Sequence, residues 1–361
     1  DQLIGVSIET CFQRLHLQPL IVFGYPHHSH SSEPSQMKAM ILAAGFGTRL
    51  FPLTIDRTKP AIPFLGKPLV GYVAEYLAEY GFSDIVVNVH HQPESVIAAL
   101  GNGDEFGVKI DYSIEQPDIL GTAGALDHAR EMLGDSTFLT INGKLITDID
   151  LSAAIETHRR TNAAATMVLK PNLHRERFTE VLVEGGRITG FGGMPDSSSG
   201  TASEPPYMYT GIQILEPRVF DYIPRGVYSD IVPSFYRPAI EGGETIAAHV
   251  AEGRWFELST MKRYLDISMA MIGGGGTVLG RHTEVAEPNS VADSVLWDDV
   301  IVEPGARLER TIVGDGVVIR SGQKFNDSAI VRAEMVRSCV EIPEKAERGE
   351  FVGDLYVVPL R

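Results

Sequence analysis

Near its C-terminal end the chain repeats itself. Asp293-Ser294-Val295, Arg310-Thr311-Ile312 and Asp327-Ser328-Ala329 follow one another at a fixed offset of seventeen residues. Val300-Ile301-Val302 recurs as Val317-Val318-Ile319, and Gly305 as Gly322, at the same offset. Short apolar steps separated by glycine turns can bury their inward side chains only against the next copy, so the segment predicts a β-solenoid of stacked coils. Its coils should bury mainly one another and share few contacts with the rest of the chain. Gly273-Gly274-Gly275-Gly276, just before it, reads as a linker.

Upstream the pattern is different. Ala39-Met40-Ile41-Leu42, Ile85-Val86-Val87-Asn88-Val89 and Phe138-Leu139-Thr140-Ile141 are short apolar runs, and helix-like stretches over 70–80 and 93–100 lie between them. Strands alternating with helices predict an α/β domain with a mostly parallel sheet covered on both faces, whose ligands bind at the carboxyl ends of the strands. Residues 181–191 read as a hairpin turning at Gly185-Gly186, 194–206 as a Ser/Pro/Gly-rich loop, and 261–271 as the last helix of the domain. The expected division is 1–36 as a disordered extension, 37–272 as the α/β domain, and 273–361 as linker, solenoid and C-terminal tail. Residues 1–36 lack a secretory pattern, and His27, His28 and His30 read as part of a frayed tail, with the functional fold starting at Met37.

Charge narrows the partners. With 31 Lys and Arg against 47 Asp and Glu, the formal net charge is −16, which argues against nucleic acid, whose affinity rests on clustered cations. No apolar run reaches the roughly 20 residues of a membrane span. Two cysteines, Cys11 and Cys339, make neither a disulfide framework nor a zinc site and suit a reducing, cytoplasmic setting.

The run Leu42-Ala43-Ala44-Gly45-Phe46-Gly47-Thr48-Arg49-Leu50-Phe51-Pro52-Leu53-Thr54, followed by Lys59-Pro60, carries the chemistry. It starts at a strand end, where Gly45 and Gly47 could take positive φ and turn backbone N–H groups toward an anion. Arg49 offers paired donors to phosphoryl oxygens and Lys59 a compact charge. This run resembles the signature of the sugar-nucleotide pyrophosphorylases, the sugar-1-phosphate nucleotidyltransferases. Gly66-Lys67-Pro68-Leu69, Leu120-Gly121-Thr122-Ala123-Gly124-Ala125-Leu126, Ile141-Asn142-Gly143, Asp148-Ile149-Asp150, Tyr209-Thr210-Gly211-Ile212 and Trp255-Phe256-Glu257-Leu258-Ser259-Thr260 continue the resemblance in order. It covers residues 37 to about 331 and is nearest to mannose-1-phosphate guanylyltransferases.

The resemblance implies a Rossmann-like nucleotidyltransferase domain followed by a left-handed parallel β-helix, and a homo-oligomer. It implies attack by a sugar 1-phosphate on the α-phosphorus of a nucleoside triphosphate with release of pyrophosphate. Arg49 and Lys59 would be the catalytic cations. Ala43, Ala44, Gly45, Gly47 and Thr48 would cradle the nucleotide, with Glu115, Gly121, Thr122 and Ala123 around the base and Gln116 nearby. Asn142, Tyr209 and Gly211 would border the sugar.

Two departures concern the magnesium that the resemblance also implies. Where the family has an aspartate after Asn-Gly, this chain has Lys144; where a second aspartate follows the tryptophan, it has Glu257. The family's sugar-gripping Glu-Lys-Pro is replaced near Gly192-Gly193-Met194-Pro195. An ammonium about 4 Å from a metal position opposes a cation by about 4 kcal/mol per unit charge pair at an effective dielectric of ~20. Several readings stay open. Lys144 could be a tethered cation. The metal could arrive with the triphosphate and be held by Glu257, or by Asp148 under a different turn. The chain could bind nucleotide-sugar as a regulatory homologue without turnover, or Lys144 could be a solvated strand-end lysine.

Overall fold

The computed structural model describes residues 37–194, 204–339 and 341–361. The tail expected over 1–36, with its histidines, and 195–203 of the Ser/Pro/Gly-rich loop lie outside the described residues.

The three apolar runs form β1 (Lys38–Leu42), β2 (Asp84–Val89) and β4 (Phe138–Asn142), and an alternating strand that the runs do not mark, β3 (Lys109–Ile114), joins beside β2. All are mutually parallel, with Met40 opposite Val86 on one side and Thr140 on the other. Their alternation sorts side chains to opposite faces. Ile41, Val87 and Ile141 join one core beneath α1 (Leu69–Glu79) and α2 (Pro93–Leu100), while Met40, Val86 and Phe138 join another beside α3 (Gly121–His128). Helix α1 begins one residue before the predicted 70–80 stretch. Helix α4 (Leu151–Thr161) starts where Asp150 accepts from the Ser152 N–H at 2.8 Å, and it ends at Asn162 with φ +48°.

The second half makes the sheet mixed. It contributes β5 (Ala165–Pro171), the hairpin β6 (Glu180–Glu184) and β7 (Arg187–Phe191), β8 (Tyr207–Leu215) and β9 (Ile246–Val250). The nine-stranded order is β3-β2-β1-β4-β8-β5-β9-β7-β6, with β8 antiparallel to both β4 and β5. Gly185 and Gly186 both take positive φ, as a two-residue hairpin turn requires. Helix α5 (Met261–Met271), capped by the Thr260 hydroxyl, ends at the glycine run.

Beyond it the coils stack with the seventeen-residue register of the sequence repeat: Val278, Val295, Ile312 and Ala329 pair in succession on one parallel sheet, and Ile301 pairs with Val318 on another. The corners repeat as well, with positive φ at Asp293, Arg310 and Asp327. Leu296, Val302, Leu308, Val313 and Ile330 fill the inside. Residues Leu355–Pro359 return antiparallel along Lys324–Arg332 and pair with Glu350–Val352, so the segment expected as a tail forms a hairpin covering the open strand edge.

The expectation of coils burying mainly one another needs correction. Val295, Trp297, Ile312 and Ala329 share one core with Leu50, Phe51 and Leu53 of the glycine-rich segment and with Tyr264 and Leu265 of α5. Trp297 donates from Nε1 to the Tyr264 hydroxyl at 3.1 Å, and Arg57 reaches Asp315 while lying over the Trp297 ring. Solenoid pairing alone carries no signal for the contact with Leu50, Phe51, Leu53 and Arg57, because these sit more than two hundred positions upstream. Among the described residues no helix is long and apolar enough to cross a membrane.

Candidate active site

The glycine-rich segment leaves the sheet between the carboxyl ends of β2 and β4. The Gly143 N–H donates to the Leu42 carbonyl at 2.9 Å, and the Ala43 N–H to Asn88 Oδ1 at 2.8 Å. Asn88 in turn donates to Glu115 Oε1 at 2.6 Å, and the Leu120 N–H to Glu115 Oε2 at 2.7 Å. Glu115 is fully buried, and a buried carboxylate needs such donors. It therefore ties the glycine-rich segment to the start of α3. Gly47 takes φ +64° ahead of a short turn over Thr48–Leu50. Gly45 does not enter the positive-φ region, so that part of the sequence expectation is corrected: its lack of a side chain leaves open space, with nothing within 4 Å of a Cβ built there.

A cavity of about 530 Å³ opens over this segment. Ala43, Ala44, Gly45, Gly47, Thr48, Arg49, Lys59, Glu115, Gly121, Thr122, Asn142 and Lys144 all line it. A second cavity of about 580 Å³ lies alongside and includes Glu257, Glu176, Arg177 and Arg263. Arg49, Lys144 and Ser259 line both.

The electrostatics concentrate at that junction. Lys59 is buried, which drives its pKa well below the ordinary lysine value; Lys144 pushes the same way, Glu257 opposes, and Arg49 and Arg263 add to the depression. Lys144 Nζ lies 2.6 Å from Glu257 Oε1. Burial works to raise the Glu257 carboxyl, but the Lys144 ammonium, with Lys59 and Arg49 behind it, holds it below the usual range. Arg263 donates to the Glu257 carbonyl at 2.8 Å and to Glu176 Oε2 at 2.9 Å. Arg49 is exposed and makes no ion pair among the described residues.

Four predicted residues stand elsewhere. Ala123 is fully buried against α3's own core and lines neither cavity, because its helix turns it inward. Tyr209 points its phenol into the sheet; desolvation pushes it well above its ordinary range against a bond with the Thr140 hydroxyl. Gly211 has φ +87°, and a Cβ there would overlap the Asn142 amide, so it acts behind Asn142 rather than on the cavity. Gln116 also lines neither cavity.

Sequence reasoning missed several lining groups. Phe46 is exposed, packing against the His90 and His91 rings at 5.6 and 5.3 Å. Tyr228 and Asp230 arrive from a segment about a hundred residues beyond α3, whose Ser229 carbonyl accepts from the Ala123 N–H at 2.8 Å. No local pattern could have placed them. Arg263, on the amphipathic helix α5, could have been flagged as the cation following the Trp255–Thr260 motif.

The donor set does not fit a protein-held divalent ion. Four carboxylates line the two cavities: Glu115, Asp230, Glu176 and Glu257. Glu115 is held by Asn88 and Leu120, Glu176 by Arg263, and Glu257 by Lys144. Asp230 accepts from the Thr122 hydroxyl at 3.3 Å and the Tyr228 hydroxyl at 3.1 Å. Asp148, the alternative ligand, is paired with Arg254 at 2.6 Å and lines neither cavity. Among the described residues no group of three or more His, Cys, Asp or Glu is placed to hold a metal. Magnesium at a nucleotide site keeps several waters and takes one or two carboxylates beside the substrate's phosphates; Glu257, the carboxylate expected to serve it, is here the ion-pair partner of Lys144, whose ammonium opposes a second cation at that oxygen.

Comparison with known proteins bears on this geometry. The model of the nucleotidyl transferase family matches residues 38–273. A UTP–glucose-1-phosphate uridylyltransferase of Synechocystis is 34% identical over 318 residues, covering 82% of this chain and 80% of the relative. Mannose-1-phosphate guanylyltransferase 1 of Arabidopsis thaliana is 29% identical over 342 residues, covering 88% and 92%. Among solved structures, HddC from Yersinia pseudotuberculosis aligns with a TM-score of 0.54 at 21% identity, over 64% of this chain and 98% of that one, which speaks to the fold alone.

Proposed function

The chain belongs to the nucleotidyl transferase family, and on that premise we propose that it transfers a nucleoside monophosphate from a nucleoside triphosphate to a sugar 1-phosphate. The observation that carries this is the pair of cavities joined at Arg49, Lys144 and Ser259, one over the glycine-rich segment and one beside it. The first takes the triphosphate, with backbone and Arg49 on the phosphates and the α3 start near the base. The second takes the sugar phosphate. One oxygen of the sugar phosphate forms a bond to the α-phosphorus, the bond from that phosphorus to the bridging oxygen breaks, and pyrophosphate leaves with the electron pair. No proton has to move. The protein's contribution is to align the two phosphates and offset their charge, which Arg49, Lys59 and Lys144 supply.

GTP and mannose 1-phosphate are the substrates in this reading, supported by guanylyltransferase relatives that span most of the chain; the uridylyltransferase relative names UTP and glucose 1-phosphate as the competitor pair. The division at 37–272 and 273–361, a left-handed winding of the coils, self-association and a cytoplasmic setting belong to the same reading. No step is assigned to magnesium, since the lining carboxylates are already engaged. Pyrophosphate release from a panel of triphosphates and sugar 1-phosphates tests the proposal. A regulatory homologue would bind nucleotide yet release no pyrophosphate with any pair, and that result would overturn the transferase reading.

A further inference from the structure

Lys144 occupies an unusual position for a lysine. It lines both cavities, and its Nζ is 2.6 Å from a Glu257 carboxylate whose side chain is only 10% exposed. The ammonium carries several N–H donors; Glu257 takes one, and the others remain for phosphate oxygens. A carboxylate that holds the ammonium from behind also fixes where that charge sits, so the cation is aimed rather than mobile on its stem. Transfer between two phosphates must bring both polyanions to the junction of the cavities, where their repulsion has to be cancelled. A divalent ion would do this from carboxylate ligands, yet each carboxylate facing the cavities is already held by a donor of the chain. Around Glu257 stand Lys144, Lys59, Arg49 and Arg263, so cationic side chains outnumber the carboxylate they surround.

We propose that Lys144, aimed by Glu257, is a tethered cation that takes the place of a protein-held divalent ion at the junction of the two cavities, and that the chain binds its nucleoside triphosphate without needing such an ion. This rests on the transferase reading and specifies how that site handles charge. The two groups act as a unit. Glu257 is a positioning residue, and Lys144 is the group that meets phosphate.

The test is calorimetric titration of the full chain with GTP and with UTP, each in EDTA and in magnesium at matched ionic strength. For whichever triphosphate binds, the wild-type Kd should differ by less than about threefold between the two media. Lys144→Met alone leaves a buried carboxylate unpaired, so the informative variant is Lys144→Met with Glu257→Gln, whose folding is checked by thermal denaturation. That variant should lose about tenfold to a hundredfold in EDTA, the worth of a charge-assisted hydrogen bond. Lys144→Arg, which keeps the charge, should recover most of the loss. Wild-type binding that weakens about tenfold or more in EDTA, or a double variant that binds in EDTA as wild type does, overturns the inference. Pyrophosphate release that is intact in magnesium alongside either result leaves the transferase reading standing. If neither triphosphate binds in either medium, the inference falls, and pyrophosphate release with the wider panel decides the transferase reading.

Discussion

Replacing Gly47 by alanine should separate the two jobs of the glycine-rich segment. Gly47 sits at φ +64°, and a Cβ there would lie 2.9 Å from Lys59 Cβ, 3.3 Å from Thr54 Cγ2 and 3.4 Å from the Lys59 nitrogen. The left-handed backbone costs a residue with a side chain about 1–2 kcal/mol, and crowding a packed neighbour about 1–3 kcal/mol. Lys59 is buried and the overlapping atom is its Cβ, fixed to the backbone, so little of this can relax through a mobile side-chain end. The expected loss is about 2–4 kcal/mol, or at least about 4 °C in Tm for a domain of this size. Because relief requires moving Lys59, affinity for triphosphate should fall as well. Gly45→Ala is the control. Nothing lies within 4 Å of its Cβ and its φ is not left-handed, so stability should be unchanged or rise by up to about 1 kcal/mol, while a bound phosphate is crowded. Differential scanning calorimetry and nucleotide titration of both variants read the two effects separately. Equal Tm for the two variants would refute the geometry assigned to this segment.

Arg49→Ala should cut pyrophosphate release by about a hundredfold or more, as loss of a charged donor at developing phosphate charge does, while folding stability moves by no more than the roughly 0.5 kcal/mol of an exposed substitution; normal turnover would remove Arg49 from the site. Lys59 gives a pH signature of opposite signs. Its pKa is lowered from 10.5 in the fold, so between the depressed value and 10.5 the unfolded chain binds more protons and folding becomes more favourable as pH rises. Lys59→Met, which has no ammonium to bury, should therefore be more stable than wild type at neutral pH, with the gap narrowing as pH rises through that window. Over the same window wild-type affinity for pyrophosphate should fall. Urea denaturation and pyrophosphate titration across pH check both, and a gap that widens with pH contradicts the assignment.

What could be read from the sequence follows how far apart the interacting residues lie. The runs at β1, β2 and β4, the Gly185-Gly186 hairpin and the helix from Met261 to Met271 are local patterns, and each appears where its pattern placed it. The solenoid register was legible because a repeat encodes a long-range pairing as a fixed offset. The glycine-rich segment was legible for a similar reason: twelve of the predicted positions from Ala43 to Lys144 line one cavity. Tyr228 and Asp230 were not, because Asp230 meets Thr122 across a sequence separation of 108 and Tyr228 comes in beside it as its hydrogen-bond partner. Tyr209 and Gly211 were assigned to the sugar side, yet β8 is antiparallel to β4 and turns the phenol into the sheet, which leaves Asn142 as the group the cavity meets. Lys144 was visible as a departure, but only the 2.6 Å contact to Glu257 turned two odd residues into one pair.

The shared core beneath the solenoid gives the last prediction its direction. Seen as a self-contained stack, the solenoid could be removed after Gly276 at no cost to the nucleotide site. The contacts argue otherwise. Leu50, Phe51 and Leu53 follow directly on Arg49 and are each almost wholly buried, in a core whose other wall is Val295, Trp297, Ile312 and Ala329. Truncation after Gly276 takes that wall away. Each large apolar side chain exposed forfeits about 1.5–3 kcal/mol of burial, and with several affected the loss rivals the 5–15 kcal/mol by which a folded domain is stable. Truncation also leaves Arg57 without Asp315 and the Tyr264 hydroxyl without Trp297. Residues 37–276 expressed alone should therefore aggregate or show a markedly lower Tm, with nucleotide affinity lost along with it. Trp297→Ala in the full chain is the milder version. It should cost about 3–5 kcal/mol and loosen the segment after Arg49, read as faster amide exchange over 50–58. Exchange there unchanged in Trp297→Ala, together with a truncated chain that binds nucleotide at wild-type Tm, would mean that the solenoid rests on the glycine-rich segment without supporting it.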